Sequence, residues 1–216
     1  AGDQGTVYPG DVWQTYWDGY EEGDRSFFGD VPEDSIPRRE HWIRQMKRLA
    51  EQCDYLDTAL RRCRERGVAP GVTIRMNDMH DAPWPKSAQF SRFYREHPEW
   101  HLPRIGARSW GAEGLDYEHP EVREHYLVLI RELAARYDFD VLELDFMRFP
   151  YYFDREDVDR HCETMTGFVR TVREILDGTG RSIALIPRVA SDPGAARQLG
   201  FDVQAWARGG IVDGVT

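Results

Sequence analysis

Tyr137-Asp138-Phe139-Asp140-Val141-Leu142-Glu143-Leu144-Asp145-Phe146-Met147-Arg148-Phe149-Pro150 decides the fold. From Val141 to Met147 apolar and polar residues alternate as in a β-strand, whose successive side chains point to opposite faces. Leu142, Leu144 and Phe146 share the face that packs against helices. Glu143, Asp145 and Met147 share the other, with the two carboxylates about 6.6 Å apart along the strand. Acids inside a strand are costly unless paired or used. Pro150 ends the strand, and Tyr151-Tyr152-Phe153 opens the next loop.

Working outward, Val122, Tyr126, Leu129, Ile130, Leu133 and Tyr137 mark a helix over 119–137 that begins at His119-Pro120, proline being favoured in a first turn. A second helix follows over about 155–177, through Val158, Cys162, Met165, Val169, Val172 and Leu176. Residues 71–77 and 182–189 read as strands, and 211–216 as the start of a fourth. Asp202 is placed as the cap of a short helix ending near Arg208. Trp42, Met46, Leu49, Cys53, Leu56, Leu60 and Cys63 form one apolar stripe, predicting a single helix over 38–66 that Gly67 stops. A short helix is expected to begin near Ser87 and run to His97. Residues 1–36, rich in Gly, Asp and aromatics, read as a decorated N-terminal loop with one short helix near Asp11–Trp17.

Strands alternating with helices indicate an α/β fold with a parallel sheet. Polar and aromatic residues follow each strand, as in a (β/α)8 TIM-barrel whose active site lies at the strands' C-terminal ends. No G-x-G-x-x-G follows a strand, which argues against a dinucleotide-binding fold. Four strands are half of what a closed barrel needs. The expectation is a single partial barrel over 1–216, with 211–216 on an open edge.

The composition narrows function further. A net charge of −10 over 216 residues lacks the basic stripe of a nucleic-acid binder, and no apolar run approaches the ~20 residues of a membrane span. A soluble protein is expected. No signal peptide is recognisable, and the abrupt opening at Ala1-Gly2-Asp3 is compatible with processing or truncation; an upstream signal would imply secretion or a periplasmic location. Cys53 and Cys63, ten residues or roughly 15 Å apart on a helix, are too distant for a disulfide. Oligomeric state is not legible.

Phe139-Asp140-Val141-Leu142-Glu143-Leu144-Asp145-Phe146 resembles the fourth-strand signature of family-18 glycoside hydrolases, the chitinases, F-D-G-[LIF]-D-[LIVMF]-D-W-E. Val141 replaces its Gly, and Met147 replaces its final Glu, the general acid of that family. The segment is more similar to a group of bacterial, family-10-like glycosyl-hydrolase barrels reading D-G-[IL]-x-[LF]-D-[YF]-x-R-[YF]-P, through Asp140, Leu142, Leu144, Asp145, Phe146, Arg148, Phe149 and Pro150. Arg75-Met76-Asn77-Asp78, Leu115-Asp116-Tyr117 and His119-Pro120-Glu121-Val122-Arg123 also look like that group. The resemblance implies a TIM-barrel protein that hydrolyses or binds glycans, needs no cofactor, and has a carbohydrate as its partner.

Candidate residues follow. Asp145, near a strand end, is the leading catalytic carboxylate, set against a buried acid paired with an arginine. Glu143 is the second candidate; one layer deeper, it is better explained as a structural ion pair with Arg75 or Arg188. Those two arginines are expected within salt-bridge reach of Glu143 or Asp145. Arg75, Asn77, Asp78 and His80, with Arg148 and Arg188, are candidate sugar-binding residues, the arginines also suiting a carboxylate-bearing sugar. Asp78-Met79-His80-Asp81 has metal-ligand residue types, but with no second His in register no metal site is assigned. Trp84, Trp110 and Tyr151 are candidate sugar platforms, or loop packing. Two functions compete: a glycoside hydrolase using paired carboxylates, and a non-catalytic glycan-binding barrel, which Met147 favours. A sugar isomerase or aldolase would want a lysine base or metal ligands at strand ends.

Overall fold

The computed structural model describes residues 5–103, 113–154 and 157–216. Ten regular elements follow in chain order: α1 (Ile36–Gln52), α2 (Tyr55–Glu65), β1 (Gly71–Arg75), α3 (Arg92–Glu96), α4 (Pro120–Arg136), β2 (Val141–Asp145), α5 (Val158–Asp177), β3 (Ala184–Arg188), α6 (Pro193–Gln198) and α7 (Val203–Arg208). Short 3-10 turns lie at Arg25–Phe28, Glu33–Ser35 and Pro98–Trp100.

The chain is α/β, and its three strands form a parallel sheet in the order β1-β2-β3. Three rows cross the exposed side of the sheet: Gly71–Val141–Ala184, Thr73–Glu143–Ile186 and Arg75–Asp145–Arg188. The opposite side carries Val72, Ile74, Leu142, Leu144 and Leu185, which join the apolar residues of α4 and α5 in one buried cluster. Leu142, Leu144 and Phe146 are fully buried, each contributing about 1.5–3 kcal/mol of transfer free energy. The alternation read from the sequence is therefore the alternation between a helix-covered face and an open one.

The expected fourth strand is not formed. Residues 211–216 run irregularly beside β3, with Asp213 N donating to Leu185 O (3.0 Å), Thr216 N to Pro187 O (3.1 Å) and Val189 N to Thr216 O (3.0 Å). Backbone contact is kept, but three residues of this segment span two of β3, so no regular ladder develops. The single helix expected over 38–66 is two. Cys53 leaves the helical conformation, and Asp54 caps α2 by accepting from Asp57 N (3.2 Å). Asp54 also accepts from the Tyr137 hydroxyl (2.6 Å), so the break fastens this helix pair to the end of α4. The predicted stripe is only partly buried: Trp42 and Leu49 remain 39% and 37% exposed, and Ile43, outside the stripe, is buried instead.

No helix forms at residues 11–17. Thr6 and Thr15 make an isolated bridge, and Asp18 accepts from Thr15 N (2.9 Å) to close the turn. This region clasps α4: Tyr8 donates to Glu132 (2.8 Å) and Trp13 Nε1 to the His125 carbonyl (2.9 Å). Helix α3 is shorter than expected, beginning at Arg92 behind the cap Ser91, whose hydroxyl accepts from Tyr94 N. Asp202 caps α7 as expected, accepting from Ala205 N at 2.9 Å, and Asp192 does the same for α6, an element the sequence did not reveal.

Candidate active face at the strand ends

The Arg75–Asp145–Arg188 row lies at the C-terminal end of the sheet, where parallel α/β folds present their chemistry. Asp145 is 4% exposed. Its Oδ1 accepts from Met147 N (3.0 Å) and Arg148 N (3.1 Å), and its Oδ2 from Arg188 Nη1 (3.4 Å). This pattern turns the chain sharply out of β2 and orients the carboxylate. Arg188 is thus within reach of Asp145, as the alternation predicted. Arg75 instead turns to Asp78, at 2.8 Å, because Asp78 follows directly on the strand end and is wholly buried.

Glu143 also departs from expectation. Its two oxygens accept from the Thr73 hydroxyl (3.3 Å) and the Thr216 hydroxyl (3.4 Å) rather than from an arginine. One row below the arginines, the neighbours of Glu143 in register are Thr73 and Ile186, so no arginine stands beside it. Glu143 is half-buried, so solvent reaches it more readily than Asp145. Of the two candidate carboxylates, the one bound by backbone N–H groups and a cation is the deeper in the protein, and the one held by hydroxyls is the more open.

Asp78, His80 and Arg148 form a linked set beside the row. Asp78 Oδ1 accepts from His80 N (3.1 Å) and contacts His80 Nδ1, while Arg148 Nη2 approaches His80 Nε2. A guanidinium has only donors, so Nε2 carries the lone pair and Nδ1 holds the proton that points to Asp78. The imidazole is thereby oriented between a carboxylate and a guanidinium. Phe149 supports both partners: its ring lies 5.4 Å edge-on from that of His80, and the Arg148 guanidinium sits 5.5 Å over it. Phe149 was legible only as a motif letter. Asp81, the third member of this stretch, turns away to a paired contact with Arg39 (2.7 and 3.0 Å).

The remaining candidates scatter. Asn77 is 2% exposed. Its amide nitrogen donates to Leu115 O (2.9 Å) and Tyr151 O (2.7 Å), and its oxygen accepts from Leu115 N (3.0 Å). It ties three loops together and has little capacity left for a ligand. A Cβ on Gly114 would come within 2.9 Å of that amide, which accounts for glycine beside it. Trp84 packs against the small cluster of Tyr20, Phe28, Val31, Ile36 and Ile43, with Arg39 over its ring. Tyr151 lines a cavity of about 390 Å³ with Phe153 and His161, to the side of the row. Trp110 lies outside the described residues. The sequence did not single out Thr73 and Thr216, the partners of Glu143; sheet register brings the first to it, and the irregular segment beside β3 brings the second.

No family model matches the chain, and no curated protein matches it. Among solved structures it is similar to an alpha-amylase from Malbranchea cinnamomea, with 15% identity and a TM-score of 0.45 over 74% of this chain and 32% of that one. A class V chitinase from Pseudomonas fluorescens Pf-5 is similar at 15% identity and a TM-score of 0.42, over 73% of this chain and 37% of that one. An alpha-galactosidase from Thermus thermophilus, in complex with stachyose, is similar at 20% identity and a TM-score of 0.42, over 74% and 30%. The chain spans about a third of the length of these structures.

Proposed function

We propose that this chain is part of a (β/α)8-type barrel that hydrolyses glycosidic bonds in an oligo- or polysaccharide, with Glu143 and Asp145 as its carboxylates. The supporting observation is that both acids stand on the open face of the sheet toward its C-terminal end, in different environments. Paired carboxylates in unlike surroundings are what acid/base cleavage of a glycoside requires. Glu143, reachable and held by two hydroxyls, is the group that exchanges a proton with the substrate. Asp145, fixed by Met147 N, Arg148 N and Arg188, supplies oriented negative charge beside it. Met147 has no proton to give, so the chitinase route through that position is closed. Arg75, Arg148 and Arg188, with His80, are the polar groups that meet the sugar, and Asp78 lies behind them.

The test is turnover of N-acetylated and non-acetylated oligosaccharides by the full-length protein, beside Glu143→Gln and Asp145→Asn. Loss of at least about 100-fold in rate in Glu143→Gln, with the substrate still bound, is expected. Undiminished hydrolysis in both variants would remove these carboxylates from the mechanism. A second reading, glycan binding without cleavage, draws on the engagement of both Asp145 oxygens together with Met147. Saturable binding with no turnover by the wild type would establish it.

A further inference from the structure

We propose that the strand-end face selects a glycan carrying a carboxylate, a uronic-acid oligosaccharide, through Arg188 and Arg148. The inference rests on the carbohydrate reading above and specifies the substrate class of the same face. It stands on how charge is distributed with depth. The two acids at the strand ends are buried: the side chains of Asp145 and Asp78 are 6% and 0% exposed, and the half-buried Glu143 lies one row below. The arginines are not: the Arg188 side chain is 54% exposed, and Arg148 is exposed as well. Solvent therefore meets guanidinium groups, with their counter-charges behind them.

The geometry of each arginine adds to this. Arg188 meets Asp145 through one nitrogen at 3.4 Å, a long single contact, so the paired N–H edge that grips a carboxylate bidentately is not spent on its own counter-ion. Arg148 is braced against the Phe149 ring and points one nitrogen at His80, so its guanidinium is held by a ring and an imidazole and not by a carboxylate. The two arginines flank one carboxylate: Arg188 holds Oδ2 of Asp145 by its side chain, and Arg148 holds Oδ1 by its backbone N–H. Glu143 lies one row away along β2, paired in register with Ile186 and not with Arg188. The chain's net charge of −10 offers an anion no long-range attraction, so the preference arises on contact.

Calorimetric titration of the full-length protein with three probes decides the matter: an oligogalacturonate, a neutral galacto-oligosaccharide of equal length, and a sulfated oligosaccharide. The expected result is at least tenfold tighter binding of the oligogalacturonate than of the neutral sugar, with that ratio collapsing toward one in Arg188→Gln/Arg148→Gln. Arg188→Lys, which keeps the charge but loses the planar fork, is the milder variant, and the ratio falls there too. Equal affinity for the neutral and uronic sugars overturns the inference and leaves the carbohydrate reading standing. Preference for the sulfated probe overturns the carboxylate assignment. Binding of none of the three overturns both.

Discussion

The two ends of the sheet hold similar residues and use them in opposite ways. At the N-terminal end, between the last turns of α4 and α5, lies a cavity of about 740 Å³ lined by Arg131, Arg136 and Arg181 together with Asp138 and Glu174. Helices end here with exposed carbonyls and partial negative charge, and the arginines answer it. Arg181 donates to Ala134 O and to Tyr137 O (2.7 Å). Arg64, nearby, spans Asp138 and Asp140, at 2.7 Å from each. At the C-terminal end Asp145 and Asp78 are buried, and Arg148 and Arg188 face outward. The two ends differ in the depth at which each sign of charge lies.

The largest effect that would break this contrast comes from Asp145→Ala. It strands the Met147 and Arg148 N–H groups and a guanidinium, and should cost about 3 kcal/mol in urea unfolding as well as ligand binding. A loss below about 0.5 kcal/mol would mean that this carboxylate does not organise the upper turn. At the other end, Arg181→Ala should lower stability by about 2 kcal/mol by uncapping the last turn of α4, while glycan affinity stays at the wild-type level. A change in affinity there would make the lower cavity part of the site.

A third test uses pH. His125 is stacked between Trp13 (4.2 Å) and Phe93 (3.8 Å), its Nε2 is buried without a partner among the described residues, and burial pushes its pKa down to about 3. The unfolded chain takes up this proton first, near 6.5, so stability falls as pH drops from about 6.5 toward 3. His125→Phe, which keeps the stack, should be more stable than wild type by about 2 kcal/mol at pH 5, the advantage shrinking near pH 7. Identical acid limbs for the two proteins would show that this histidine is charged in the folded state. The smallest effect is expected from Arg188→Gln, whose single long contact to Asp145 is worth less than about 1 kcal/mol to folding. A larger loss would place Arg188 with the structural arginines of the lower end.

Periodicity carried most of the framework. Leu142, Leu144 and Phe146 against Glu143 and Asp145 made β2 and its two faces legible, and the stripes of α4 and α5 were readable because those helices bury one continuous side. Reading failed where periodicity continued through a break: the stripe over 38–66 hides the interruption at Cys53-Asp54, since Asp54 is recruited by Tyr137 from a distant helix. It failed again at 211–216, where strand-like residues follow β3 without keeping its register. The candidate site was legible by residue type and only half legible by role. That Arg188 reaches one of the two acids of β2 followed from alternation; that the acid is Asp145 and not Glu143 did not. That Arg75 prefers Asp78, that Asn77 is consumed by loop carbonyls, and that Glu143 is held by Thr73 and Thr216 did not.

What the sequence determined by itself is the alternation of β1, α4, β2, α5 and β3, the parallel sheet it implies and the face each side chain of β2 takes, because these depend on spacings of two and 3.6 within short stretches. Only the tertiary structure decided which acid is buried and which is open, and which arginines are committed to carbonyls. Those outcomes depend on depth and on partners brought from 40 to 70 residues away, such as Arg188 for Asp145 and Thr73 for Glu143, and burial is a property of the packed molecule that no local pattern encodes.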